Sequence, residues 1–386
     1  MAGSLVNAVY LDHAATTPMR PEAVAAMLPF LTERFGNPSG DHAVARAARR
    51  ALDDARDSVA GHLGCEPDEV VFTGSGTEAD NVAVLGAHGA VGGDVLCSAV
   101  EHHAVLLACR SLGGRTIPVD PTGVIDLDAL AEALHPGVGV VSVMLVNNEV
   151  GTIQPLARVA ALVRERAPGA VVHTDAVAAV PWLDVAEATP SADLVSVSAH
   201  KFGGPKGVGV LVVRRGTPLH PVLYGGAQEH GRRPGTHDVA GIVGTAAALT
   251  AAMAARSTEV PRVRALRDRL ADGLVGLEGV EETGAGAGPV GSGDRRGKVA
   301  GSCHVLVGGV DQEELLLLAD DAGICASAGA ACASGALEPS HVLLALGLSS
   351  AEARGAVRFS LGPTTTEADV DTALAVIAKV VEQLRR

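Results

Sequence analysis

The chemistry in this 386-residue chain gathers in short polar stretches that follow short apolar runs. The clearest is Ser196-Val197-Ser198-Ala199-His200-Lys201, which leads into Phe202-Gly203-Gly204-Pro205-Lys206-Gly207. A lysine at the end of a buried strand is desolvated, which lowers its pKa and favours the nucleophilic amine. Taken alone, a lysine at a strand exit is more often a surface residue, so its neighbours must decide. Upstream, Ala170 to His173 runs into Thr174-Asp175-Ala176. An aspartate there serves equally as a helix N-cap or as the partner of a protonated ring nitrogen. The second role is that of the pyridinium partner in pyridoxal phosphate enzymes, where the electron sink depends on that proton. Lys201 and Asp175, each at its own strand end, together fit a lysine-bound cofactor of this kind.

A third stretch supplies an anion site. Phe72-Thr73-Gly74-Ser75-Gly76-Thr77-Glu78 reads as a strand, a Gly/Ser/Thr turn and the start of a helix over 78–85. Backbone N–H groups at a helix N-terminus, with hydroxyls beside them, hold a phosphate. Glu101-His102-His103 follows the next apolar run, and a flat imidazole there suits stacking on a pyridine ring and proton exchange with a substrate sulfur. Cys332 lies in Gly329-Ala330-Ala331-Cys332-Ala333-Ser334-Gly335, ahead of a helix opened by Pro339-Ser340. A loop of such small residues is expected to pack loosely, which leaves the thiol mobile. The other cysteines show neither a CxxC pair nor a metal-ligand spacing. Cys97, Cys109 and Cys325 read as small buried hydrophobes, and no metal site is expected.

The elements that must position these residues alternate. Val70–Phe72, Asp94–Cys97, Val138–Val146, Ala170–His173, Asp193–Val197 and Val208–Val213 read as buried strands, with helices over Ala43–Leu63 and Pro155–Ala167 among those between them. Such alternation predicts an α/β fold with a mostly parallel sheet covered on both faces, whose ligands bind at the carboxyl ends of the strands. The pattern changes near Ala255. A basic helical stretch, Val263–Leu274, leads to a Gly-rich segment, Thr283–Gly301, expected as an exposed connection; no GK[ST] follows it, so it is not a phosphate loop. The predicted organisation is a large α/β domain over 15–255 and a smaller α+β domain combining 1–14 with 256–386.

Composition excludes several classes. The chain is 47% hydrophobic with a mean hydropathy of +0.28, which is incompatible with disorder. Thirty basic against 44 acidic residues give a net charge of −14, which argues against broad binding to nucleic acid or anionic membrane. The charge-free stretch Val239–Ala255 falls short of a membrane span and is expected as a buried helix. No basic flank and apolar core mark a signal peptide at the start, and a cytoplasmic protein is expected.

The motifs together resemble those of cysteine desulfurases of the NifS/IscS type, within the class V, fold-type-I pyridoxal-phosphate enzymes. They are YLDHAATTP (Tyr10 to Pro18), FGNPS (Phe35 to Ser39), FTGSGTEADN (Phe72 to Asn81), EHH (Glu101 to His103) and VNNEVG (Val146 to Gly151). SAHKFGGPKGVG (Ser198 to Gly209), RRPGT (Arg232 to Thr236), CASGALEPSHVL (Cys332 to Leu343) and RFSLG (Arg358 to Gly362) continue the series to the C-terminal region. The resemblance implies a fold-type-I homodimer that converts L-cysteine to L-alanine and leaves sulfur on Cys332 as a persulfide. Lys201 would hold pyridoxal 5'-phosphate as a Schiff base, Asp175 would pair with its ring nitrogen, and His102 would stack on the ring and exchange protons. Gly76, Thr77, Ser198 and His200 would bind the phosphate, joined by Thr236 of the partner subunit. Asn148 would face the ring hydroxyl, and Arg358, with Asn37, would bind the substrate. The sulfur would pass to an acceptor protein serving tRNA thiolation, DNA phosphorothioation or iron–sulfur assembly.

Three departures from the family pattern carry expectations of their own. Ala178 stands where family members usually have a glutamine bonded to the cofactor's phenolic oxygen, which implies a perturbed cofactor and slower chemistry. His230 replaces a frequent arginine. The chain stops at Arg386 without the extended tail that housekeeping members use to dock an iron–sulfur scaffold. The competing classes are a related class V aminotransferase or selenocysteine lyase, indifferent to Cys332→Ser, and a non-catalytic sulfur-transfer platform.

Overall fold

Parallel strands buried on both faces need no polar alternation, and the strand segments here are accordingly almost wholly apolar. The computed structural model describes residues 8–284, 295–329 and 339–386. In chain order its strands are β1 (Val9–Tyr10), β2 (Val70–Thr73), β3 (Asp94–Ser98), β4 (Arg115–Ile117), β5 (Val138–Ser142) and β6 (Val171–Asp175). They continue with β7 (Leu194–Ser198), β8 (Gly209–Val213), β9 (Val280–Glu282), β10 (Ser302–Val307), β11 (Ile324–Cys325) and β12 (Ala356–Ser360). The helices are α1 (Pro21–Thr32), α2 (Ala43–Leu63), α3 (Gly76–Val91), α4 (His103–Ser111), α5 (Leu127–Ala133) and α6 (Leu156–Arg166). After them come α7 (Val185–Ala188), α8 (Val239–Val275), α9 (Gln312–Asp321), α10 (His341–Ala345), α11 (Ser350–Ala353) and α12 (Glu367–Leu384).

Seven strands form the main sheet in the order β2-β8-β7-β6-β5-β3-β4. The pairs from β7 through β4 are parallel, whereas β8 runs antiparallel to both β7 and β2. The expected mostly parallel α/β sheet is therefore present. The strand expected over Val138–Val146 ends at Ser142. Beyond it the chain leaves the ladder, still buried, and residues from Met144 to Glu149 turn along the carboxyl edge.

Helix α2 shows how local chemistry sets an element. Its Ala45, Ala48, Leu52, Ala55, Val59 and Leu63 fall on one buried face, and Gly64 closes it in a left-handed conformation (φ 62°), where a residue without Cβ carries no penalty. Helix α8 is 37 residues long with Pro261 inside it. It continues past Ala255, so its length and composition do suffice to cross a membrane, contrary to the expectation from Val239–Ala255 alone. It is instead packed within the protein, against α1 and α2 at one end and α12 and β10 at the other.

Two large apolar cores lie along α8. One covers one face of the main sheet and takes in α8 as far as Ala252, the opposite face being packed against α3 and α4 by a separate cluster. The other begins on α8 at Val263 and joins Val9 and Leu11 to β10, β12 and α12. A smaller cluster sets Val342, Leu343 and Leu346 against Val100, Met144 and Val150, which docks α10 beside the carboxyl edge of the sheet. The Gly-rich connection expected to be exposed is only partly so where it is described: Arg296 is exposed, whereas Thr283, Gly284, Lys298, Val299, Ala300 and Gly301 are inside, and Lys298 Nζ donates to Glu282 Oε1 at 2.8 Å.

Candidate active site

At the carboxyl ends of β2, β3, β6 and β7 lies a cavity of about 460 Å³. Gly76, Thr77, His102, Asn148, Asp175, Ser198, His200, Lys201 and Arg358 all line it. Of the residues singled out from the sequence, Asn37 and Thr236 do not line it; Asn37 sits on an exposed loop and Thr236 on an exposed turn. Cys332 lies outside the described residues.

The helix start at α3 is built as an anion cradle. Ser75 caps it, its hydroxyl accepting from Glu78 N at 3.1 Å, and Glu78 in turn accepts from Gly74 N and from Arg233. A Cβ on Gly76 would stand 3.0 Å from both Ser198 Cβ and Val177 Cγ2, so any larger residue would press on the β6 and β7 ends where they close on the helix N-terminus. His200 Nδ1 lies 3.2 Å from Thr16 Oγ1, and burial lowers its pKa to about 4, helped by Lys201 and Lys206.

Lys201 ends a single 3-10 turn that follows β7. Its Nζ donates to the carbonyls of Ala14 at 2.5 Å and Ala15 at 2.9 Å. Asp175 is the last residue of β6; Val177 N donates to its Oδ1 at 2.8 Å. Burial raises its pKa to about 6, with the Val177 amide and the Lys201 charge working in the opposite direction. His102 caps α4, its Nδ1 accepting from Ala104 N at 3.2 Å. That bond leaves the other ring nitrogen to carry the proton of the neutral form. Burial, and then the Lys201 charge, push its pKa down to about 4.

Arg358, on β12, is 2% exposed. Nη2 donates to Asp12 Oδ1 at 2.9 Å, and Nη1 donates to the carbonyls of Asn148 and Gly329, each at 3.0 Å. Its Nε has no hydrogen-bond partner among the described residues. Sequence reasoning missed several wall residues: Ala14 and Ala15, Asp80, Glu101, Glu149 and His341. Glu149 accepts from Ser340 Oγ at 2.6 Å, and Ser340 caps α10 as its position after Pro339 suggests. Ala178 borders the cavity, as expected from its place after Asp175. Cys97 and Cys109 are buried, and Cys325 is half-buried.

The family model for aminotransferase class-V matches residues 9–373. The chain belongs to this family. Within it the resemblance to cysteine desulfurases of the NifS/IscS type holds over nearly the whole chain. A cysteine desulfurase of Gluconacetobacter diazotrophicus is 44% identical, the match covering 98% of this chain and 95% of the relative. An IscS-like cysteine desulfurase of Mycobacterium tuberculosis is 42% identical, with 98% and 97% covered. A solved NifS-like protein superimposes with a TM-score of 0.89 at 32% identity, covering 98% of this chain and all of that one. This class V membership agrees with the fold-type-I architecture expected from the motifs.

Proposed function

We propose that this protein is a pyridoxal-phosphate-dependent cysteine desulfurase, which converts L-cysteine to L-alanine and takes the sulfur onto Cys332 as a persulfide. The observation that carries the reading is the convergence of Lys201, Asp175, His102 and the α3 N-terminus on one cavity at the carboxyl edge of the sheet. The donor set fits the cofactor: a closely packed helix start at Gly76, a buried carboxylate and a lysine amine share one space. Gly76, Thr77, Ser198 and His200 would hold its phosphate, Asp175 would pair with the ring nitrogen, His102 would stack on the ring, Asn148 would serve the ring hydroxyl and Lys201 would make the covalent link. When bound, pyridoxal phosphate supplies the electron sink that makes bonds at the substrate's Cα labile.

The chain's own residues do the rest. Arg358 binds the substrate carboxylate, a planar fork suited to that anion; Asn37, the other substrate residue expected from the motifs, lies outside this cavity. Lys201 Nζ takes the proton from the substrate's Cα. His102, kept neutral at pH 7 by burial and the Lys201 charge, is the group assigned to exchange a proton with the substrate thiol or Cys332. Only the thiolate of Cys332 is a competent nucleophile toward the substrate sulfur. The persulfide then serves a sulfur-acceptor protein, for tRNA thiolation, DNA phosphorothioation or iron–sulfur assembly. The two cores support a large domain over 15–255 and a small domain of 1–14 with 256–386. We place the protein in the cytoplasm as a homodimer whose Thr236 completes the partner's phosphate site.

Absorbance of the purified protein before and after L-cysteine, with alanine assayed alongside, tests the reading. A visible cofactor band that changes on addition while alanine accumulates supports it. No band after reconstitution with pyridoxal phosphate overturns it.

A further inference from the structure

Asp175 is not the only acid under the cavity. Asp80 on α3 is 1% exposed and lines the same space. Its Oδ1 has no hydrogen-bond partner among the described residues and lies 3.7 Å from His173 Nε2. His173, on β6 two residues before Asp175, is fully enclosed: Nδ1 is 2.8 Å from Ser142 Oγ and Nε2 is 2.9 Å from Ser196 Oγ. Ser196 also offers Asp80 a hydrogen bond. From the turn after β3, Glu101 joins the group, its Oε1 accepting from Met144 N at 2.7 Å while Oε2 is unpartnered among the described residues.

The titratable groups bearing on Asp80 are thus His173 and Asp175 from β6 and Glu101 from the β3–α4 turn; Lys201, after β7, bears on Asp175. Carboxylates that share a desolvated site cannot all ionise, and the group with the weakest partners keeps its proton. Asp175 has an amide and a lysine to support its charge, whereas Asp80 has hydroxyl and imidazole neighbours. We propose that Asp80 stands behind Asp175 as a neutral carboxylic acid, a positioning residue that leaves Asp175 as the ionised carboxylate facing the cofactor's ring nitrogen. The proposal rests on the functional reading above, through the role given to Asp175. It agrees with the directions of the shifts: burial and the Asp175 charge raise the pKa of Asp80 well above the usual carboxylate range. Burial lowers His173 to about 3, which leaves that ring neutral.

Asp80→Asn keeps shape and neutrality, so it separates a neutral acid from a charged one. The variant and the wild type are loaded with pyridoxal phosphate, and the visible band is titrated toward acid. The expected shift of the acid midpoint is less than about 0.3 unit, because one neutral group replaces another. A fall of about one unit or more, as loss of a nearby negative charge produces, overturns the proposal. A structural role alone predicts nothing in the infrared. In the loaded Glu101→Gln protein at pH 7, the carbonyl stretch of a protonated carboxylic acid is expected, and Asp80→Asn in that background is expected to remove it. Absence of that stretch from the Glu101→Gln protein overturns the proposal even if Asp80→Asn fails to fold. A wild type that shows no visible band overturns the functional reading and this proposal together; a normal wild-type band with a displaced Asp80→Asn midpoint overturns this proposal alone.

Discussion

At the scale of single residues, the proposed chemistry separates into steps that different side chains control. Cys332→Ser removes the thiol that receives sulfur but none of the groups proposed to hold the cofactor. The variant is expected to keep its visible band and its response to L-cysteine, while sulfide release with dithiothreitol falls to background; a related class V enzyme acting without Cys332 would release it unchanged. Arg358→Lys keeps a charge but loses the fork, and its expected cost is ~1.5–3 kcal/mol of substrate binding, a rise of about 10- to 150-fold in KM. Steady-state kinetics with L-cysteine read that directly. In the role proposed for it, Asp175 would set the acid limit of cofactor binding. Its carboxyl is raised to about 6 in the folded protein, so it is ionised above that pH and protonates below it, losing the charge proposed to hold the ring nitrogen. Affinity of the apoprotein for pyridoxal phosphate is expected to weaken as pH falls through about 6, measurable by fluorescence titration across that range. Constant affinity down to pH 5 would remove Asp175 from the role given to it.

Between elements, the sheet delivers the site through a clamp that the motifs did not reveal. Glu229, buried in a turn before α8, accepts from both Arg56 Nη atoms at 2.9 and 2.6 Å, from Phe72 N at 2.9 Å and pairs with His237 Nε2 at 2.6 Å. It thereby ties α2 and β2, which lead into the α3 cradle, to the turn that bears Thr236. Glu229 and His230 occupy positive φ, 51° and 57°, a conformation that costs ~1–3 kcal/mol per residue and persists only where surroundings enforce it. Removing the carboxylate leaves the half-buried Arg56 guanidinium with only the Val70 carbonyl and the Phe72 amide without its acceptor, so Glu229→Ala is expected to lose about 3 kcal/mol of stability, read as a lower denaturant midpoint. Its carboxyl sits near 2, held down by His237 and Arg56 despite burial. The stabilisation is therefore complete above the ordinary carboxylate pKa of about 4.5 and is lost as pH falls toward 2. The same element scale explains what the sequence made legible. Parallel strands announce themselves as apolar runs, and Lys201 and Asp175 stood at their ends. The reversal of β8 was not legible, because a central strand buried on both faces reads the same in either direction. Asp80, Glu101 and Glu229 were hidden for a related reason: their burial is decided by strands and helices far away in the chain, which no local pattern encodes.

For the whole molecule, one chain leaves work undone on its surface. Val24, Leu28, Leu31 and Phe35 are exposed along α1 and just beyond it, although the opposite face of α1 is packed on α8. A contiguous apolar face of this kind is characteristic of an interface, and Thr236, which does not line its own cavity, has a proposed use only if a second copy supplies that cavity. Dimerisation and cofactor binding are then linked, since whatever binds only the assembled form favours assembly. Leu28→Asp combined with Leu31→Asp puts two charges on the exposed face without touching either core. Circular dichroism is expected to be unchanged, light scattering to report one chain instead of two, and pyridoxal phosphate to dissociate faster. Thr236→Ala is expected to leave the dimer intact and weaken cofactor retention by about 1 kcal/mol, roughly fivefold, the worth of one hydrogen bond. A double aspartate variant that stays dimeric would move the interface off α1. One that becomes monomeric yet holds its cofactor as firmly as the wild type would show each phosphate site to be complete within its own subunit, and Thr236 would then have no part in it.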